Sequence, residues 1–282
     1  MCLPGTIYRE PVRIISDLHL AHPGSTVSAI QELRPLLEGA GTVLFNGDTF
    51  ELRKKALLQK AWDYRMQLEQ LCDELGVEPV FLTGNHDPEV SETHYLDLCL
   101  GKVFLTHGDI LYEDVSPWSK LIGEMREVLE RIRCEYPPDY LDDLDLSLEV
   151  AKRIAVETRA RPAISDGRMR KLRTLLAEAW PPHRPVIILK TWLRSHYLCH
   201  SVRNRFRPEA DFIICGHTHR ALIHQQKDKY VINTGAFMPL SRAMLVEISA
   251  GKVTVNDVCR RSGQFCVGRR RACWQVDEHC AG

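Results

Sequence analysis

Two histidines, His217 and His219, stand one residue apart where the apolar run FIIC ends in Gly216. Side chains two apart in extended backbone share a face. Both rings can then converge on one object, and a metal ion is the usual object that needs neutral imidazoles. One pair is weak evidence, but the same chemistry recurs where four other apolar runs stop. Asp17 and His19 lie in SDLHL, Asp48 follows Gly47 after TVLFN, Asn85 and His86 follow PVFL, and His107 follows VFLT. Each has a bland explanation alone, such as a helix cap for Asp48. Five such clusters call for a common cause.

The set supplies three imidazoles beyond His19, two carboxylates and one amide oxygen. That is enough for two divalent ions with one carboxylate bridging. With no thiolate among the donors, the chemistry favours manganese, with iron or zinc as alternatives, over a thiolate zinc site. Neutral donors dominate, so two cations keep net positive charge and can bind a phosphate oxyanion. Two metals about 3.5–4 Å apart lower the pKa of a bridging water and clamp attacking and leaving oxygens. That is the chemistry of phosphoester hydrolysis. His86, whose ring titrates near neutrality, suits protonation of a leaving alkoxide. Glu51, Asp87 and Asp109 are carboxylates placed to fix imidazole tautomers.

Strands must hold these groups side by side. The apolar runs at 12–16, 42–46 and 79–82 alternate with helix-like stretches at 26–37 and 54–75, which argues for βαβ units and a partly parallel sheet. The runs 95–100 and 103–106 flank Gly101-Lys102 as a hairpin. From about 116 to 208 the pattern is helical, with Leu121, Ile122, Met125, Val128, Leu129 and Ile132 on one stripe. Strands then resume at 212–215, 221–224, 230–233, 243–248 and 253–258. The expected layout is a single domain over 1–258 with a helical cap at 116–208, followed by a Cys- and Arg-containing tail at 259–282.

The chain has 282 residues, a formal net charge of zero, 44% hydrophobic and 26% charged residues. These are values of an ordinary globular protein and not of a general polyanion binder. No apolar run approaches the roughly 20 residues of a membrane-spanning helix, and the N-terminus does not read as a signal peptide. A cytoplasmic location is expected. Fourteen Lys or Arg against three Asp or Glu between Ala151 and Arg207 give the insertion a basic rim, preceded by an acidic block at 135–149. Complementary solvated helices explain this as well as attraction of a phosphate-bearing substrate does. Of ten cysteines, Cys259, Cys266, Cys273 and Cys280 recur every seven residues without a CxxC pair, and no role follows from that.

The series Asp17-x-His19, Gly47-Asp48-x-x-Glu51, Gly84-Asn85-His86-Asp87, His107-Gly108-Asp109 and Gly216-His217-x-His219 resembles the calcineurin-like metallophosphoesterase family. All five blocks stand in that family's order. The resemblance implies a four-layer α/β/β/α sandwich with a dinuclear site at one edge of the sheets. It further implies that Asp17, His19, Asp48 and His219 hold one metal, and that Asn85, His107 and His217 complete the second around a bridging Asp48. His86 would be the general acid or a phosphate contact, with Asp87 orienting it, and a metal-bridging hydroxide would attack phosphorus in line.

Within the family, SDLHL, GDTFE and CGHTHR look closest to the UDP-2,3-diacylglucosamine pyrophosphatase branch. The 116–208 segment would then grip a lipid-linked sugar nucleotide, with Trp118, Trp180, Trp192, Tyr197 and Phe206 as candidate acyl contacts and peripheral membrane contact as a consequence. That branch usually carries arginine where this chain has His86. A nuclease and a generic or cyclic-nucleotide phosphodiesterase are the alternatives. The neutral charge and the lack of interleaved aromatics disfavour nucleic acid, and an intact ligand set disfavours a non-catalytic scaffold. Oligomeric state is not legible.

Overall fold

In the computed structural model, which describes residues 8–158 and 184–276, eleven strands form two sheets. The first contains β1 (Val12–Ile15), β2 (Thr42–Asn46), β3 (Glu78–Leu82), β9 (Met244–Ser249), β10 (Lys252–Arg261) and β11 (Gln264–Gln275), in the order β11-β10-β9-β1-β2-β3. The second contains β4 (Tyr95–Leu98), β5 (Val103–Thr106), β6 (Phe212–Cys215), β7 (Leu222–Gln226) and β8 (Lys229–Asn233), in the order β4-β5-β6-β8-β7. β1, β2 and β3 run parallel, as do β5, β6 and β8. β2 and β6 are buried along their whole length, which explains why TVLFN and FIIC are nearly continuous apolar runs.

The inner faces of the two sheets meet through Ile14, Leu44, Leu105, Ile214, Ile232 and Val246, all buried. Outside the first sheet, Phe45 and Phe81 pack on Ala61, Leu68 and Leu71 of α2 (Leu58–Leu75), beside the one-turn α1 (Arg34–Leu37). Outside the second, Phe104, Ile213 and Val231 pack on Leu148 of α4 (Leu144–Glu157) and Cys199 of α5 (Arg184–Phe206). The sandwich is therefore α/β/β/α. Each Leu, Ile or Phe so buried contributes roughly 1.5–3 kcal/mol by leaving water, and the two sheets are thereby locked with their strand ends together.

α3 (Ile122–Ile132) and α4 form a satellite core through Met125, Ile132, Val150 and Ile154, with Val115 beneath them. The Asp143 side chain starts α4 by accepting the Leu146 N–H at 3.0 Å. The acidic and basic blocks do pair in part: Arg153 reaches Glu135, and Arg205 reaches Asp142. No described helix is long and apolar enough to cross a membrane.

Two expectations fail. The stretch 26–37 is helical only from residue 30, because the Thr26 N–H and hydroxyl both donate to Phe237 O and hold the chain extended there. Residue 258 is not the start of a tail: β10 continues to Arg261 and pairs with β11, placing Cys259 opposite Cys266 at the sheet edge. Cys72, Cys134, Cys199, Cys215, Cys259, Cys266 and Cys273 are free thiols. Cys280 and Trp180 lie outside the described residues.

Candidate metal centre

β1, β2, β3, β5 and β6 all stop at the same edge of the sandwich, and the loops that leave them are laced together. Asp17 N–H donates to Gly47 O at 3.1 Å, His19 N–H to Asp48 O at 2.9 Å, and Gly216 N–H to His107 O at 2.8 Å. Asn46 joins the two sheets by donating its Nδ2–H to Thr106 O at 2.9 Å. Close approach dictates the glycines. A Cβ on Gly216 would lie 2.1 Å from Asp17 Oδ2, and one on Gly47, at φ +76°, would lie 2.5 Å from the His107 ring.

Five of the candidate ligands occupy left-handed backbone: Asp17 (φ 54°), His19 (46°), Asp48 (50°), His217 (66°) and His219 (56°). The expectation that His217 and His219 share one face of extended backbone is thus wrong. Left-handed backbone costs a non-glycine residue of order 1 kcal/mol, and it persists where the surroundings over-determine it, as at functional sites. The turn sends the two rings to different neighbours. His217 lies beside His107, ring centroids 5.1 Å apart, whereas His219 Nε2 is 3.0 Å from His19 Nε2 and 3.3 Å from Asp17 Oδ1.

Three groups result, each with its donor atoms within 4.8 Å of one another: His19, Glu51 and His86 at the mouth, and two that share Asp48, namely Asp17, His19, Asp48 and His219, and Asp48, His107 and His217. Asp48 Oδ2 lies 3.8 Å from His19 Nε2 and 3.4 Å from His107 Nε2. Backbone carbonyls fix two tautomers, because a carbonyl only accepts. His107 Nδ1–H donates to Asn46 O and His217 Nε2–H donates to Val115 O, each at 2.9 Å. That leaves His107 Nε2 and His217 Nδ1 as bare, buried nitrogens without a partner among the described residues, along with Asn85 Oδ1. Unpartnered buried acceptors are costly, and divalent cations would satisfy all three. The donor set fits metal.

Titration agrees with this. Burial pushes His217 down to about 3, with the neighbouring His107 adding to it. Burial and then His86 hold His19 well below its ordinary value. Both are thus neutral, the state that ligates. Burial also opposes a charge on His107, but the Asp48 carboxylate outweighs it and raises His107. A proton and a metal compete for the same 3.4 Å gap.

His86 stands at the mouth, its side chain 23% exposed. Its backbone N–H donates to Asp48 Oδ1 at 2.7 Å, and its ring packs edge-on to His19. The carboxylate that orients it is Glu51, whose Oε2 accepts from His86 Nδ1–H at 3.0 Å. Burial works against both charges. Even so, Glu51 and Asp48 raise His86, and Glu51 falls to about 2 chiefly through His86.

Asp87 does not orient His86 as expected. Its carboxylate accepts the backbone N–H groups of Gly84, Asp48, Thr49 and Phe50 at 2.7–3.0 Å, bracing the Asp48 loop. Asp109 is buried, and its carboxylate engages the backbone of its own short turn. Sequence reasoning missed the two tautomer-fixing carbonyls, which carry no sequence signal. It also missed Arg53, buried near Glu51 and Asp48 with its Nε unpartnered among the described residues.

Of the candidate apolar contacts, Trp118 lies 5.0 Å from the His217 ring and 5.4 Å from Tyr112. Trp192 Nε1–H donates to Thr218 O, Phe206 packs in the core, and Tyr197 is exposed.

The sequence profile of calcineurin-like phosphoesterases matches residues 10–221. No curated protein matches the chain. Solved structures similar to it include zinc-complexed Vps29 from Entamoeba histolytica, 17% identical, covering 94% of this chain and 97% of that one with a TM-score of 0.38. Vps29 from Cryptosporidium parvum is 15% identical over 95% and 99%, with a TM-score of 0.42. A dimetal phosphatase from Danio rerio is 12% identical over 88% and 96%, also with a TM-score of 0.42. At these values the structural likenesses carry no functional argument, and the family rests on the profile match.

Proposed function

This chain belongs to the calcineurin-like phosphoesterase family, a family of phosphoester hydrolases, and on that premise we propose that it hydrolyses a phosphodiester or pyrophosphate bond at a dinuclear metal centre. The observation that carries the reading is the membership of Asp48 in both donor clusters. Asp17, His19, Asp48 and His219 would hold one ion, and Asp48, Asn85, His107 and His217 the other. Such a pair of divalent ions, manganese first by the donor set, supplies an acidified water and offsets the charge on the phosphate.

The remaining steps belong to side chains. His86, whose pKa Glu51 and Asp48 raise against the effect of burial, delivers a proton to the departing oxygen. In the imidazolium form Nδ1–H donates to Glu51 Oε2 at 3.0 Å, and the second ring proton, on Nε2, is the one delivered. Asp87 holds the Asp48 loop against the pull of two cations.

The substrate reading rests on the helical segment as a cap. Between the 111–117 loop, α3 and α5, the described residues line an open cleft of about 1130 Å³ with apolar walls (Leu111, Tyr112, Leu129, Ile187) and charged ones, where Arg126, Arg133, Lys190 and Arg194 outnumber Glu113, Asp114 and Glu130. Tyr112 connects it to the centre, its ring 6.4 Å from that of His217. A cleft with both linings suits an amphiphilic phosphate ester, and a UDP-sugar lipid is the specific candidate.

The test is hydrolysis of bis(p-nitrophenyl) phosphate and p-nitrophenyl phosphate with and without added Mn²⁺, beside Asp48→Asn. Metal-dependent diester cleavage that disappears in the variant supports the reading. Equal turnover by folded Asp48→Asn and the parent would refute it.

A further inference from the structure

A second group of imidazoles lies outside this centre. His196 and His200 are four residues apart on α5, so they share a helix face one turn from each other. His224 projects from β7 onto that face. His200 Nε2 and His224 Nδ1 are 3.3 Å apart, and the His196 and His224 ring centroids are 4.2 Å apart. We infer that His196, His200 and His224 form a binding site for one zinc-class transition-metal ion, distinct from the dinuclear centre and pinning α5 to the five-stranded sheet.

Three observations support it. A tetrahedral ion with metal–nitrogen distances of about 2.0–2.1 Å needs donor nitrogens about 3.3–3.4 Å apart, and the His200–His224 pair already has that spacing. His200 is 4% exposed, and its Nε2 meets an imidazole nitrogen of His224 rather than a carbonyl or carboxylate that would commit it elsewhere. Two of the rings, His200 and His196, are also disfavoured as imidazolium. Burial and then His224 push His200 down to about 4, and burial and then His224 lower His196. Arg203 beside His200 and Arg220 beside His196 disfavour imidazolium further. Neutral imidazole is the ligating form.

In the present rotamers only the first two nitrogens sit at ligand spacing. His196 is only partly buried, and the site requires its ring to change rotamer on metal binding so that a third nitrogen enters the shell, with water in the fourth position. The competing account is a plain imidazole–imidazole hydrogen bond between His200 and His224.

Metal counting on the full-length chain, prepared without a histidine tag, separates the two. The protein is stripped with chelator, equilibrated with Zn²⁺, desalted and analysed for zinc per chain, in parallel with His200→Gln and His224→Gln. The site predicts about one more zinc per chain in the parent than in either variant, with bis(p-nitrophenyl) phosphate hydrolysis retained in all three. The same difference should persist in an Asp48→Asn background, where the dinuclear centre is impaired. Circular dichroism checks folding, and His224→Gln, at a half-buried strand position, is the variant least exposed to a folding defect. Equal zinc in the parent and folded His224→Gln, in either background, overturns the inference.

Discussion

The strand-end loops and the helical segment solve opposite problems. In the loops the backbone is committed and the donor atoms are left bare: Asp87 alone holds four backbone amides, two carbonyls each fix one imidazole tautomer, and His107 Nε2, His217 Nδ1 and Asn85 Oδ1 have no partner among the described residues. Five ligand candidates are kept in left-handed backbone. Around α3, α4 and α5 the polar groups are mostly exposed, joined by surface pairs such as Arg126–Asp114 and Arg133–Glu113. Exposed pairs contribute little to stability. The proposed chemistry thus sits on buried, over-determined backbone, and the proposed recognition surface lies where the polar groups are exposed. Substitutions should therefore split into two classes.

The sharpest break is at Asp48. Asp48→Asn removes the donor shared by both clusters, and loss of transition-state charge stabilisation of this kind costs about 10²–10³-fold or more in kcat. A fall below tenfold, measured on bis(p-nitrophenyl) phosphate, would erase the distinction. His86→Asn comes next, with a loss of about 10²-fold expected for a lost general acid. The deficit should shrink on an ester with a good leaving group, because such a group needs no proton.

Glu51→Gln should have a smaller effect and a signed one. Glu51 raises the His86 pKa, and a general acid is active below its pKa. Activity therefore falls as pH rises through that value, and removing the carboxylate should move the fall to lower pH. A tenfold change in rate at a given pH corresponds to about 1.4 kcal/mol, and a pH–rate profile of kcat reads it. A shift to higher pH would contradict the assigned role.

The smallest effects belong to the other region. Arg126→Ala or Arg194→Ala in the cleft should raise KM for an amphiphilic phosphate ester several-fold, the scale of one exposed charge contact at about 1 kcal/mol. Both should leave bis(p-nitrophenyl) phosphate turnover within about twofold. Equal losses on both substrates would place these arginines in the chemistry instead.

Legibility followed the same division. The five donor blocks were readable because each puts a donor at the end of an apolar strand, four of them beside a glycine, and the sheets then bring those ends together. β2 and β6 fell where the apolar runs put them. Asp87 was misread because its partners lie 37–39 residues away in the Asp48 loop, apart from Gly84, and backbone amides leave no mark in sequence. Glu51 was recognised as a supporting carboxylate but not as the one that orients His86. β11 was taken for tail because Arg269–Arg271 interrupts strand alternation, and register shifts near Asn256 let that run sit on the edge.

The central claim is that Asp48 joins two metal ions. Electron paramagnetic resonance of the chelator-stripped protein titrated with Mn²⁺ tests it most directly, since two manganese ions bridged by one carboxylate are exchange-coupled. Bridging by Asp48 predicts a coupled spectrum that builds as Mn²⁺ is added and is lost in Asp48→Asn. A spectrum of isolated Mn²⁺ at every ratio, or coupling that survives in the variant, would contradict it.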